Sequence, residues 1–527
     1  MSGKPASDER SADLQRLARP AHTDNSAKPE QLQMAGNAQK TALKLATAHL
    51  RGRMRRTFLT NLALLLVLNL LVKPFYILGI DAGVQVAVGT EEYGLYAALL
   101  SLSFLLNILL DAGITNFNTR HIAQHTQLIG KYFSGMVGVR AVLALFYAGV
   151  TLVAGFALGY EGRQLELLGW LVVNQVLAST ILYLRSNIAG AQKYRQDSLL
   201  SVADRVLLIG GVGWLLWFSG MPFQIEWFIW AQTIAYSITM LIALMMVLRL
   251  SGRVKLQWKP VFNLLVLRQS FPYALLILLM TFYYRTDMLM LERLAGEKEA
   301  GIYAQGFRFF EALNMLGFLV AGLLLPMYSR MLKAKESVND LTATALRLVV
   351  AGSIAVALFG SWYSKDIMEL RYTEHTDRSG AAFAVLMWCF VAVTLTYIFG
   401  TLLTAAGELK KLNWMAASGA GLNIVLNLIL VPRFASEGAA WASLAAQWTT
   451  AVVQIWIACR LFGLKEVYGV ILRLLPYLAG LVIFLFTMDF FEASLLYMAI
   501  FYFLFSLLWA FLTGLLGRKY LLNAFQG

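Results

Sequence analysis

Gly89–Ala97 reads GTEEYGLYA and Gly296–Ala304 reads GEKEAGIYA. The two segments share Gly, Glu, Gly, Tyr and Ala at matching places, 207 residues apart (89 to 296), and each follows a long apolar run. A weaker echo pairs Ala178–Leu184 (ASTILYL) with Ala392–Ile398 (AVTLTYI), 214 residues apart. Self-similarity at a fixed period marks a duplicated unit. Six apolar runs separate the paired elements, so the copies share one topology about an axis along the membrane normal. Two such bundles imply a cleft between them and rocking about it, the architecture of a transporter.

The composition requires a membrane. Of 527 residues, 59% are hydrophobic and 14% charged, against about 45–50% and about 25% in an ordinary globular domain. Mean hydropathy is +0.63. A soluble chain has no interior large enough to hide so many apolar groups behind so few charges. At about 20 residues per span, the apolar residues suffice for about fourteen or fifteen spans. The fold class is therefore an all-α membrane protein. Spans are expected near 58–80, 94–116, 136–159, 166–190, 199–219, 226–249, 270–292, 301–326, 342–363, 380–405, 412–431, 438–460, 472–488 and 494–516. That is two six-helix halves, as parallel repeats, plus two extra C-terminal helices.

Other classes fall away. Cys389 and Cys459 both lie in apolar runs, so neither a disulfide framework nor a zinc cluster is available. Five histidines, of which only His121 and His125 have i,i+4 spacing, do not make a metal centre. No metal, organic cofactor or catalytic residue is expected. The net charge of +14 belongs to the positive-inside rule, not to nucleic acid.

Residues 1–56 are polar and read as a disordered, basic tail that ends in Arg51, Arg53, Arg55 and Arg56 beside the first span. The N-terminal half is then 57–250, a basic linker 251–269, the C-terminal half 270–460, and helices thirteen and fourteen with a short tail 461–527. Even-numbered connections and the C-terminus hold 19 Lys and Arg, odd-numbered ones 7. Both termini are accordingly expected in the cytoplasm. The longest outward connection, 364–379, is too short for a catalytic domain.

Three stretches carry a family likeness: Val88–Ala123 with its Asp-Ala-Gly, Tyr284–Tyr303 (YRTDMLMLERLAGEKEAGIY) and Asn427–Ala445 (NLILVPRFASEGAAWASLA). With them, residues 57 to 520 resemble the multidrug/oligosaccharidyl-lipid/polysaccharide exporter superfamily. The nearest resemblance is to its polysaccharide-transport branch, the bacterial flippases of undecaprenyl-pyrophosphate-linked oligosaccharides. The resemblance implies a V-shaped bundle alternating between inward-open and outward-open states. It implies a cationic cavity for the pyrophosphate-sugar head, with the polyprenyl tail left in lipid near the last two helices. It further implies the bacterial inner membrane, a lipid-linked oligosaccharide (O-antigen or another surface-polysaccharide unit) and membrane lipids as partners, and glycosyltransferases and a polymerase in the same pathway.

A charge near the midplane costs roughly 2.5–3.5 kcal/mol on insertion scales, so each needs a partner, a wet cavity or a task. Lys73 precedes Pro74, which can kink the first span and open a cavity wall; it is expected in the outer half, with Arg285 of span seven and Arg308 of span eight at similar depth. Arg185 is expected in the inner half. A guanidinium can hold a diphosphate bidentately and Lys acts as a point charge, so Lys73, Arg185, Arg285 and Arg308 are the candidate head-group site. The plain alternative is pairing, as for Arg308 and Glu311 at i,i+3 spacing. Arg205 and Arg347, near span ends, read as snorkelling anchors. Asp111, Asp287 and Glu311 are candidates for H⁺ or Na⁺ coupling, or simply neutralise nearby cations. Asn107, Asn116, Asn118, Asn413, Asn423 and Asn427 suit sugar hydroxyls or interhelical contacts, and Tyr284 and Tyr397 suit sugar stacking.

Two other functions compete. A drug/cation antiporter of the same superfamily would want an acidic cavity, and span one offers Lys73 and no acid. A membrane polysaccharide polymerase or ligase would use the 364–379 loop with Arg371, His375 and Arg378, but the duplication argues against it. No nucleotide-binding motif occurs in the sequence.

Overall fold

The computed structural model describes residues 67–517 other than 116, 117, 120, 121, 123–128, 252–274, 276, 277, 280, 283, 491 and 492. The basic tail 1–56, nearly all of the linker 251–269, part of expected span seven, His121, His125 and Asn116 lie outside the described residues. Every regular element among the described residues is helical.

In chain order these are α1 (Val67–Val88), α2 (Thr90–Asp111), α3 (Ile129–Ala157), α4 (Arg163–Gly190), α5 (Tyr194–Phe218), α6 (Ile225–Ser251) and α7 (284–295). Then come α8 (Glu297–Lys333), α9 (Asn339–Trp362), the short α10 (Ser364–Arg371), α11 (Thr376–Ala405), α12 (Leu409–Phe462), α13 (Lys465–Met488) and α14 (Leu495–Leu512). Twelve of the described helices are long and apolar enough to cross a membrane. One of them, α12, is two helices meeting at Ala435 (φ 48°, ψ −125°), just after Pro432. Proline removes a helical N–H, and the break falls where expected spans eleven and twelve divide.

Two bundles result. α4 packs on α6, α3, α2 and α5; α11 packs on α8, α12 and α9; α13 and α14 pack on each other and on α9. The bundles meet where α2 and α1 lie against α8. The apolar side chains left exposed on outer helices, such as Leu145, Val153 and Phe156 of α3, present the surface that lipid requires.

The duplicated segments have duplicated geometry. Gly89 (φ 89°, ψ 165°) and Gly296 (φ 95°, ψ 167°) make the same turn, a backbone conformation that L side chains avoid. Each opens a helix with carboxylates in its first turn, Glu91 and Glu92 in α2, Glu297 and Glu299 in α8, where they complement the helix dipole.

α1 runs to Val88, eight residues past the boundary expected at 80. Asp81 and Gln85 make that stretch look like a loop, but both are buried against the second bundle: Asp81 meets Arg308 at 3.0 Å and Gln85 Nε2 donates to Gly301 O at 2.8 Å. Pro74 is followed at once by a π-helical turn, Tyr76–Asp81. Arg371 of α10 donates to two carbonyls of that turn, Leu78 O (2.9 Å) and Gly79 O (3.0 Å). The wide turn loosens the backbone ladder, and the guanidinium of the opposite bundle takes up the carbonyls.

Candidate functional site

A cavity of about 350 Å³ lies between the bundles. Lys73, Arg185, Arg205, Arg285 and Arg308 line it, with Asp81, Asp204 and Glu311 as its carboxylates. Five cations face three acids. The four cations named from the sequence therefore share one hollow, joined by Arg205. At 1.5 Å per residue from the Gly89 turn, Asp81 lies about 12 Å deep and Lys73 about 24 Å deep. Along the helices Lys73 is thus farther from its glycine turn than Arg285 and Arg308, which are about 17–18 Å from the matching Gly296 turn.

The deep arginines are held by carboxylates. Arg308 is buried, 3.0 Å from Asp81, 2.7 Å from Glu311 and 2.9 Å from Tyr93 Oη, to which its Nε donates. Tyr93 Oη in turn donates to Asp81 at 2.8 Å. Glu311 also takes Arg285 at 2.9 Å, and Arg285 lies 4.6 Å from the Phe104 ring centre. The cluster joins Asp81 and Tyr93 of the first bundle to Arg285, Arg308 and Glu311 of the second. The plain alternative of pairing therefore applies to Arg308 and Glu311, in addition to a place in the cavity. Arg285 pairs with Glu311, not with Asp287.

At the other end of the cavity Arg185 pairs with Asp197 at 2.7 Å. Arg205 is not an anchor reaching to head groups. It lines the cavity over the Tyr76 ring (4.5 Å) and near that of Tyr236 (5.8 Å), 3.6 Å from Asp204. Its position close to the sequence end of a span concealed this: the surrounding rings and Asp204 hold it inward. Arg347 is likewise buried, 3.7 Å from Glu466. Lys73 forms no ion pair among the described residues; Arg205 and Arg185 act on it as like charges, and Asp204 opposes them.

The other two acids lie elsewhere. Asp111 pairs with Arg140 at 3.0 Å and bonds Thr115. Arg140, a charge within an apolar span that sequence reasoning passed over, also donates to Ser179 and lies 4.7 Å from the Tyr183 ring centre. Asp287 is buried in the second bundle and accepts from Asn423 Nδ2 (2.9 Å), Asn427 Nδ2 (2.7 Å), Ser443 Oγ and Tyr303 Oη (3.3 Å). Asn107 lines the cavity, Asn118 bonds Ser186, and Tyr284 and Tyr397 line a different hollow.

At the end marked by the two glycine turns, bonds between the bundles close the cleft. Gln164 donates to Glu297 (3.0 Å), Tyr160 to Glu292 (2.7 Å), Arg293 to Leu158 O (2.9 Å) and Thr90 Oγ1 to Glu374 (2.7 Å). Arg371 and Arg378 of the 364–379 connection are engaged there too, Arg371 with α1 and Arg378 with Glu299.

Residues 58–332 match the family model "Polysaccharide biosynthesis protein", and residues 272–429 match the model "MatE". No curated protein matches the chain in sequence. Among solved structures, the fold is similar to that of the lipid II flippase MurJ in an inward closed conformation: TM-score 0.68, 14% identity, 86% of this chain and 98% of that one. It is also similar to an inward-facing multidrug resistance transporter of the MATE family (TM-score 0.59, 16% identity, 75% and 96%). A third is a transporter of the same superfamily from Pyrococcus furiosus, described as having a binding pocket of reverse polarity (TM-score 0.56, 13% identity, 77% and 95%).

Proposed function

Because this chain belongs to the polysaccharide biosynthesis protein family, within the multidrug/oligosaccharidyl-lipid/polysaccharide exporter superfamily of membrane transporters and flippases, we propose that its cargo is an undecaprenyl-pyrophosphate-linked oligosaccharide. The protein would move that cargo from the inner to the outer leaflet of the bacterial inner membrane. The observation that carries the proposal is the cavity with five cations against three carboxylates. A diphosphate taken from water into a low-dielectric hollow needs fixed positive charge, and a cationic drug would be repelled by it. The match to the MatE model keeps a drug/cation antiporter as the second reading.

The chain's own groups suggest an order of events. Lys73, which forms no ion pair among the described residues, attracts the anion first, with Arg185, Arg205 and Asp204 around it. Further in, the diphosphate competes with Asp81 and Glu311 for Arg285 and Arg308. Because Arg308 bonds both bundles, that exchange loosens their contact, and the sealed end, assigned to the periplasm by the positive-inside rule, can open. Asp287, ringed by four donors inside the second bundle, is the acid proposed for H⁺ or Na⁺ coupling. The termini are assigned to the cytoplasm, and glycosyltransferases and a polymerase of the pathway are the proposed partners.

The test is translocation of a fluorescent polyprenyl-diphosphate saccharide in proteoliposomes. Wild type should expose it to an external quencher or enzyme, and Arg285→Ala should not. Equal rates in the two would remove the cavity from the mechanism, and preferential export of an organic cation would favour the antiporter.

A further inference from the structure

A second cavity, of about 210 Å³, lies wholly within the second bundle. Tyr284 of α7, Phe318 of α8, Tyr397 and Gly400 of α11, and Ala416 and Gln454 of α12 are among its walls, and no charged side chain lines it. Its position follows from the duplication. Ile77 and Leu182 line the cationic cavity, and their counterparts at offsets 207 and 214, Tyr284 and Thr396, line this one. Both copies kept a hollow, and the second exchanged charge for aromatic and neutral groups.

The carboxamide of Gln454 is the informative group. Gln454 is 4% exposed, lines the cavity, and its Oε1 has no hydrogen-bond partner among the described residues. A buried amide oxygen left unpaired carries an unrecovered desolvation cost. Gly400 gives it room: a Cβ there would lie 2.9 Å from Gln454 Oε1. Gly317 does the same for the Tyr397 ring, which a Cβ would approach to 2.5 Å. Thr404 does not compete for a ligand, since its hydroxyl donates to Gly400 O at 2.7 Å.

We infer that this cavity binds a small, uncharged, mainly apolar molecule bearing one group, such as a secondary amide, whose N–H donates a hydrogen bond to Gln454 Oε1. An apolar cavity of roughly 150 Å³ accommodates benzene, so the space fits an aromatic ring with a small polar substituent. The site has no cation to hold a diphosphate. Every lining residue belongs to one bundle, so occupancy does not depend on how the two bundles stand to each other.

Acetanilide supplies the ring and the amide. Equilibrium dialysis of radiolabelled acetanilide against the full-length protein in lipid nanodiscs, with empty nanodiscs subtracted, should give saturable binding. Gln454→Leu should weaken it about tenfold and Ala416→Phe should abolish it, with thermal unfolding as in wild type. Ala321→Phe, on another wall, repeats the filling test should Ala416→Phe not fold. Arg285→Ala should bind acetanilide as wild type does, which separates this site from the proposed cargo route. No saturable binding, unchanged binding in the filled variants, or equal binding of propylbenzene and acetanilide would each overturn the assignment.

Discussion

Gly94 and Gly301, the same position in the two copies of the duplicated segment, lie against each other where the bundles meet. A Cβ on Gly94 would fall 1.8 Å from Glu297 O, and one on Gly301 would fall 1.8 Å from Thr90 O. Neither clash is with a side chain that could rotate away. Gly94→Ala or Gly301→Ala should therefore push α2 and α8 apart, at a cost in the usual overpacking range of about 1–3 kcal/mol or more. The check is a lower unfolding temperature together with faster labelling of a cysteine placed at the sealed end. Unchanged labelling would mean that this contact does not hold the end shut.

Removing one member of the Arg308 cluster should be worse than removing two. Arg308→Ala leaves Asp81 buried without its guanidinium, and breaking a buried pair costs about 3–5 kcal/mol. Asp81→Asn combined with Arg308→Ala should recover part of that stability without restoring export. Thermal unfolding and translocation assays on the same preparations separate the two effects.

Glu311 holds both Arg285 and Arg308, so Glu311→Gln should free Arg285, and the Nη1 arm of Arg308, for the cargo while Asp81 keeps its hold on Arg308. Binding of a polyprenyl diphosphate should tighten, by about tenfold for each 1.4 kcal/mol gained, while turnover falls because release slows. Titration of the purified variant with the lipid, beside its flipping rate, gives the comparison.

Lys73→Ala should weaken capture of the same lipid by about 10–100-fold, the value of a charged hydrogen bond of about 1.5–3 kcal/mol. Lys73→Arg should retain most of it. Initial binding rates measured at rising salt should converge for wild type and Lys73→Ala if Lys73 acts by its field.

Acid should loosen the sealed end. The bonds from Thr90 Oγ1 and N hold the Glu374 carboxyl below the usual carboxylate range. A lowered folded value means the contribution is complete above the unfolded carboxylate value of about 4.3 and is lost as pH falls through the folded one. Glu374 is exposed, so the effect is small and screened. Cysteine labelling at that end, followed from neutral to acid pH, should rise in wild type and stay flat in Glu374→Gln.

The membrane class, the helical architecture and the superfamily were legible in the chain itself. Apolar run length, the sparing use of charge and the GTEEYGLYA/GEKEAGIYA pair are local properties that hydropathy and period express directly. So were four of the five cations of the cavity, Lys73, Arg185, Arg285 and Arg308, since a charge in an apolar span announces itself wherever the span folds.

Tertiary structure alone decided the rest. The end of α1 at Val88, the place of Arg205 inside the cavity, and the capture of Glu311 by two arginines all depend on what lies across a helix interface. Asp81 and Gln85 look like loop residues until Arg308 and Gly301 stand opposite them. A chain by itself shows which groups need a partner. Which partner each one finds is set by contacts between residues up to nearly three hundred positions apart, and those exist only once the two bundles have packed.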